Sequence, residues 1–252
     1  NPSPRVSPYK TIFPMPCLRL LMVLLLLAMP PWLRAATPES VPAADDMAPR
    51  VLACVACHGR EGRATNQGYF PRIAGKPAGY LYNQLRNFRD GRRSYPAMNG
   101  LLEYLSDDYL MEMATYFSRM DVPYPAPQTH NAAPATLERG RVLVQQGDAA
   151  LGVPACVACH GTALTGVQKA IPGLVGLPRD YLNAQLGAWQ AGQRHAHAPD
   201  CMADIAQRLT PSDVSAVSTW LSSQPVAGGG KPAAQLPGPL PVACGGLEGG
   251  AR

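Results

Sequence analysis

Cys54-Val55-Ala56-Cys57-His58-Gly59 and Cys156-Val157-Ala158-Cys159-His160-Gly161 are two copies of one pattern, and their reading decides the fold. Two thiols three positions apart lie on one side of a helical turn. There they can add to the two vinyl groups along one edge of a haem. The next residue then carries an imidazole beneath the ring, where it can bind iron. Two rival chemistries share the Cys-x-x-Cys spacing. A redox-active dithiol needs a βαβ context, and no strand-type alternation flanks either copy. A zinc site would draw on both pairs, yet 99 positions separate Cys57 from Cys156 and each pair has its own histidine. Haem attachment accounts for both copies with nothing left over.

The rest of the chain repeats around these motifs. Pro71, Ile73, Gly75, Pro77, Tyr80, Leu81, Gln84 and Leu85 fall onto Pro172, Leu174, Gly176, Pro178, Tyr181, Leu182, Gln185 and Leu186 at an offset of 101. The same offset carries Phe88 onto Trp189, Gly91 onto Gly192 and Arg93 onto Arg194; Leu105-Ser106 meets Leu209-Thr210 at 104. The repeat predicts an all-α fold of two tandem helical domains, 37–124 and 137–224, each wrapped on one haem. A Pro/Ala-rich linker spans 125–136, and a Gly/Pro-rich tail of little helical pattern follows over 225–252. Apolar spacing predicts helices over Tyr80–Asp90, Leu137–Gln146 and Tyr181–Ala191. A further helix in each half starts after the caps Ser106 and Thr210.

A six-coordinate electron-transfer haem needs a distal ligand, usually Met or His. Met98 follows His58 by 40 positions and Met202 follows His160 by 42, each in an expected loop containing Pro96 or Pro199. The expected metal ligands are therefore His58, Met98, His160 and Met202. Met111 and Met113 sit on a helix and read as core. His195 and His197 are rivals to Met202, but the first half has no counterpart to either. His130 in the linker receives no role.

Composition narrows the function classes. The 252 residues are 46% hydrophobic and 15% charged, which excludes a disordered chain. The net charge of +5 comes largely from Arg5, Lys10, Arg19 and Arg34; without them 18 basic residues face 17 acidic ones. A nucleic-acid partner thereby loses its electrostatic case. Leu20–Met29 is a ten-residue apolar run behind Arg19, too short to span a bilayer and suited to a signal peptide over 1–36. The expected location is the periplasm, with an uncleaved N-terminus as the alternative membrane anchor.

Cys-x-x-Cys-His-Gly, Gly-x-Pro-x-x-Tyr-Leu-x-x-Gln-Leu, Gly-x-Arg, the methionine and Leu-Ser-Asp, occurring in order, resemble the di-haem cytochrome c4 family of two class I cytochrome c domains. The resemblance covers roughly residues 45–224. It implies that the Pro71 and Pro172 carbonyls orient His58 and His160, and that Arg93 and Arg194 pair with haem propionates. It also implies an electron carrier, not an enzyme, serving redox partners such as a membrane oxidase or a quinol-oxidising complex. The alternatives are an electron-accepting subunit of a dehydrogenase and a haem enzyme with one open iron. Arg86, Arg89, Arg92 and Arg93 form a basic cluster expected to dock an acidic partner. Cys201 and Cys244 depart from the family pattern. They are the thiols left once Cys17 goes with the signal and four are spent on haem, so a Cys201–Cys244 disulfide is expected.

Overall fold

The computed structural model describes residues 46–65 and 68–250, the last three as backbone only. The expected signal segment 1–36 lies outside the described residues. The first half contains α1 (Met47–Arg50), α2 (Leu52–His58), α3 (Ala78–Arg89), α4 (Pro96–Leu102) and α5 (Asp107–Ser118). The second contains α6 (Pro134–Gln145), α7 (Cys156–His160), α8 (Arg179–Gln190), α9 (Cys201–Arg208) and α10 (Pro211–Ser222). The all-α expectation holds, with one small addition. A two-residue ribbon pairs β1 (Gly166–Val167) with β2 (Ile171–Pro172) antiparallel, Gly166 opposite Pro172.

Each half buries its own apolar cluster. Leu81, Phe88, Leu110, Met113 and Phe117 bring α3 against α5 in the first. Leu143, Val144, Leu182, Val214, Val217 and Leu221 join α6, α8 and α10 in the second. The spacing of these residues at three and four positions is what places them on facing stripes. Caps set the starts. The Ser106 hydroxyl accepts from the Tyr109 N–H, and at α10 Thr210 and Asp213 cap each other's backbone N–H reciprocally.

Two expectations need correction. Met98 and Met202 lie not in loops but on α4 and α9. Pro96 occupies the first turn of α4, where its missing N–H costs nothing, so proline there starts a helix instead of excluding one. The other concerns His130, in a linker that packs against the second half. Its helix α6 begins at Pro134, and Gln128 N–H donates to Ser222 O at 2.9 Å. His130 Nε2 meets Ser222 Oγ at 2.8 Å, which gives that histidine a place in the packing.

The tail is also pinned. Ala233 pairs with the ribbon through Gln168 N–H to Ala233 O and Ala233 N–H to Gly166 O. Short turns form at Gly228–Gly230 and Gly245–Gly250. Cys201 and Cys244 are joined by a disulfide, as expected.

Candidate haem sites

Both attachment motifs close a helix. Gly59 and Gly161 follow at φ +74° and +84°, in the left-handed region, and a Cβ at Gly59 would sit 2.3 Å from Ala64 O. The chain can turn away under the histidine only with glycine there. His58 Nδ1 donates to Pro71 O and His160 Nδ1 to Pro172 O, each at 2.8 Å. A carbonyl only accepts, so the proton sits on Nδ1 and the Nε2 lone pair is left for a metal.

Electrostatics keep both imidazoles neutral. Burial pushes the His58 pKa down, the Pro71 carbonyl opposes this and Arg93 adds to it. His160 is lowered likewise by burial, against the Pro172 carbonyl and with Lys76. A neutral imidazole is the form that binds iron. The sulfurs of Cys54, Cys57, Cys156 and Cys159 form no disulfide and are half-buried. Before haem is attached, burial raises the Cys54 and Cys159 thiols and pushes Cys156 up to about 12.

All four thiols, both histidines, Met98 and Met202 line one predominantly apolar cavity of about 700 Å³ between the halves. The residues present fit haem. Trp189 Nε1, buried on the cavity wall, has no hydrogen-bond partner in the chain and would suit an acidic group of a bound ring. Among the described residues no three His, Cys, Asp or Glu side chains cluster to hold a bare metal ion, which removes the zinc reading.

The seam between the halves is built from repeat partners. Arg93 donates to Gln84 of its own half and to Tyr181 and Gln185 of the other. Arg194 returns the pattern, reaching Gln185 at 2.8 Å and Gln84 at 3.1 Å. Arg93 and Arg194 also form a backbone bridge and stack on Phe88 and Trp189 respectively. Both guanidiniums line the cavity. Gln84 and Gln185 were visible in the sequence only as repeat positions, and their shared offset of 101 was the signal for a two-fold seam. Lys76 carried no such signal, since its counterpart is Leu177. It is buried, donates to Gly173 O across the seam at 3.0 Å, and is pushed down to about 7 by burial and by Arg72.

The arginines of the expected docking cluster are partly paired within the chain. Arg86, Arg89 and Arg92 pair with Asp90, and Arg86 and Arg89 also with Asp107. Arg93 turns into the seam. Two carboxylates thus face three guanidiniums, which lowers the charge of the cluster without cancelling it, a pairing the arginine count alone could not reveal.

A duplicated helical fold with two Cys-x-x-Cys-His sites on one cavity defines a di-haem c-type cytochrome, carrying two covalently attached haems. Haem iron supplies one-electron chemistry. No protein-family model matches the chain. It is 39% identical over 71% of its length to the thiosulfate dehydrogenase electron acceptor of Thiomonas intermedia, covering 81% of that protein. The crystal structure of reduced cytochrome c4 from Pseudomonas stutzeri aligns over 69% of this chain and 95% of its own, with TM-score 0.59 and 31% identity. Thiosulfate dehydrogenase (TsdBA) from Marichromatium purpuratum aligns with TM-score 0.62 and 31% identity, over 69% of this chain and only 37% of that one. The chain belongs to the di-haem cytochrome c4 family. It is an electron-transfer protein with redox partners, not an enzyme.

Proposed function

We propose that Cys54 and Cys57 bind the first haem and Cys156 and Cys159 the second, within domains 37–124 and 137–224. His58 with Met98, and His160 with Met202, are the axial pairs. The observation that carries this is the doubled arrangement of a carbonyl-oriented imidazole and a helix-borne methionine on one cavity. With both axial positions filled from the chain, neither iron binds substrate. Arg93 and Arg194, at the cavity wall, neutralise propionates while keeping the two halves in register.

The donor we propose is a thiosulfate-oxidising dehydrogenase in the periplasm, because the 39% relative is named as the electron acceptor of one. The Cys201–Cys244 disulfide fits an oxidising compartment. Among the described residues no helix is long and apolar enough to cross a membrane. A membrane oxidase would then be the downstream acceptor. Two measurements test the reading. Ferric spectra should carry methionine-to-iron charge-transfer bands from two haems, with no carbon monoxide uptake after reduction; Met98→Ala should open one iron. Mixing the ferric protein with reduced thiosulfate dehydrogenase should reduce it on the enzyme's turnover timescale. A carbon-monoxide-reactive native haem would overturn the ligand assignment, and no reduction on mixing would overturn the donor.

A further inference from the structure

The two halves secure their methionine helices by different means. In the first, Asn99, next to Met98, accepts from Tyr95 N–H at 2.7 Å. Its amide donates back to Phe88 O, at the end of α3, and to Arg93 O. One side chain thus bolts the start of α4 to the helix before it. The residue next to Met202 is Ala203, which has nothing to bond with. Asp200 accepts from Ala196 N–H and Ala203 N–H, but a carboxylate cannot donate to a carbonyl, so it makes no bolt from the start of α9 back to α8; Gln190 of α8 holds only the far end of α9, donating to Ala206 O at 2.9 Å and Leu209 O at 2.7 Å.

In place of the bolt stands the tail. Cys244 is bonded to Cys201, the residue immediately before Met202. The adjoining Gly245 N–H donates to Pro199 O at 2.9 Å. The strap passes so close that a Cβ on Gly245 would lie 2.1 Å from Ala198 O. Its far side is tied to the first half, where Asn83 Nδ2 donates to Gly246 O at 2.6 Å. Leu240, Val242 and Leu247 line the same cavity as Met202.

We propose that residues 240–247 form a disulfide-fixed strap that holds Met202 on the second iron, with Cys201 and Cys244 as its positioning residues. The strap replaces, for the second half, the asparagine bolt of the first. The proposal rests on Met202 being the distal ligand. An iron–thioether bond is weak enough that the methionine stays bound only while its segment has few other conformations, and the strap removes those.

The test uses the full-length, haem-loaded protein and its Cys201→Ser/Cys244→Ser variant. The native protein should show two methionine charge-transfer bands and take up no carbon monoxide when reduced. The variant should lose about half of the band intensity and bind one carbon monoxide per two haems; the first haem's retained band reports an intact fold. Ala203→Asn in the variant background should restore the lost band. Gly245→Ala keeps the disulfide yet displaces the strap, and should lose part of the same band even if the double variant fails to fold. A double variant with both bands and no carbon monoxide uptake would overturn the strap while leaving the ligand assignment standing. A native protein with one band would overturn the Met202 assignment and the strap with it.

Discussion

Replacing Gly140 by alanine sets two effects of opposite sign against each other, and the structure decides between them. Alanine in a helix interior is ordinarily worth about 0.8–1 kcal/mol over glycine. At Gly140 in α6, however, a Cβ would meet Ala216 O at 2.3 Å and Trp220 Cβ at 2.7 Å, both on α10. Neither atom can rotate aside. To reach van der Waals distance the two helices must part by about 1 Å, a gap that forfeits roughly a quarter to a half of each dispersion contact across it. Leu143 and Val144 pack against Val217 and Leu221 at this junction, and overpacking of such a core costs typically about 1–3 kcal/mol. The clash outweighs the propensity gain, so Gly140→Ala should lower the melting temperature by several degrees, at about 2–4 °C per kcal/mol for a chain this size. Gly187 in α8 is the control, since a Cβ there meets nothing within 4 Å. Gly187→Ala should raise the melting temperature by up to about 4 °C. Thermal unfolding followed by circular dichroism reads both. A Gly140→Ala protein that melts as high as Gly187→Ala would refute the close approach of α6 and α10.

Thr210→Ala removes half of the reciprocal cap on α10 and should cost about 1 kcal/mol in urea unfolding. Burial pushes the Asp213 carboxyl up, but Arg139 and Thr210 together hold it below its usual value. Its contribution to stability is therefore present above the unfolded pKa of about 3.9 and is lost as pH falls through the lower folded value. Asp213→Asn should accordingly be weaker than the native protein at pH 6, and the gap should close in acid; a pH-independent gap would count against the ion pair. Arg194 is buried, its pKa lowered to about 10 by burial and by Arg93. Arg194→Ala removes one of the two arginine donors to Gln84 and Gln185, Arg93 keeping the other, and should cost roughly 1 kcal/mol; lysine, lacking the planar fork, should not restore it.

The attachment motifs and the long helices were readable because each is a local pattern, whereas the carbonyls behind His58 and His160 came only with the family resemblance. Fixed spacing and periodic apolar residues survive without knowledge of the partner. Even helix ends agree within about three residues, as for α3 against Tyr80–Asp90. What was not readable depended on the other half of the molecule. Pro96 looked like a loop marker because the first-turn role of proline is apparent only once α4 exists. Four arginines looked like an unpaired docking face because Asp107, fourteen or more positions away, pairs with two of them from α5. The disulfide followed from counting thiols, but its strap did not, since Asn83 lies 163 positions from Gly246.

Duplication supplied two equal sites, and the departures from equality make their irons unequal. The exposed large apolar residues Leu52, Tyr69, Leu101 and Tyr104 all belong to the first half. The second half is covered by linker and tail, and it receives Lys76 from its neighbour at a point where that amine disfavours a proton on His160. Oxidation adds a positive charge to the iron, and deeper burial opposes that; Lys76, pushed down to about 7, is only partly charged near neutral pH and Arg93 acts on His58 in the same sense, so burial decides the order. The second haem should therefore hold its electron more tightly, and electrons accepted at the more exposed first site should pass inward to it. Spectroelectrochemical titration should resolve two steps, with Met98→Ala displacing the lower one and Met202→Ala the upper. A single merged step, or the reverse assignment, would mean that the cover of linker and tail leaves the iron unaffected, and that the asymmetry serves only to hold the second half together.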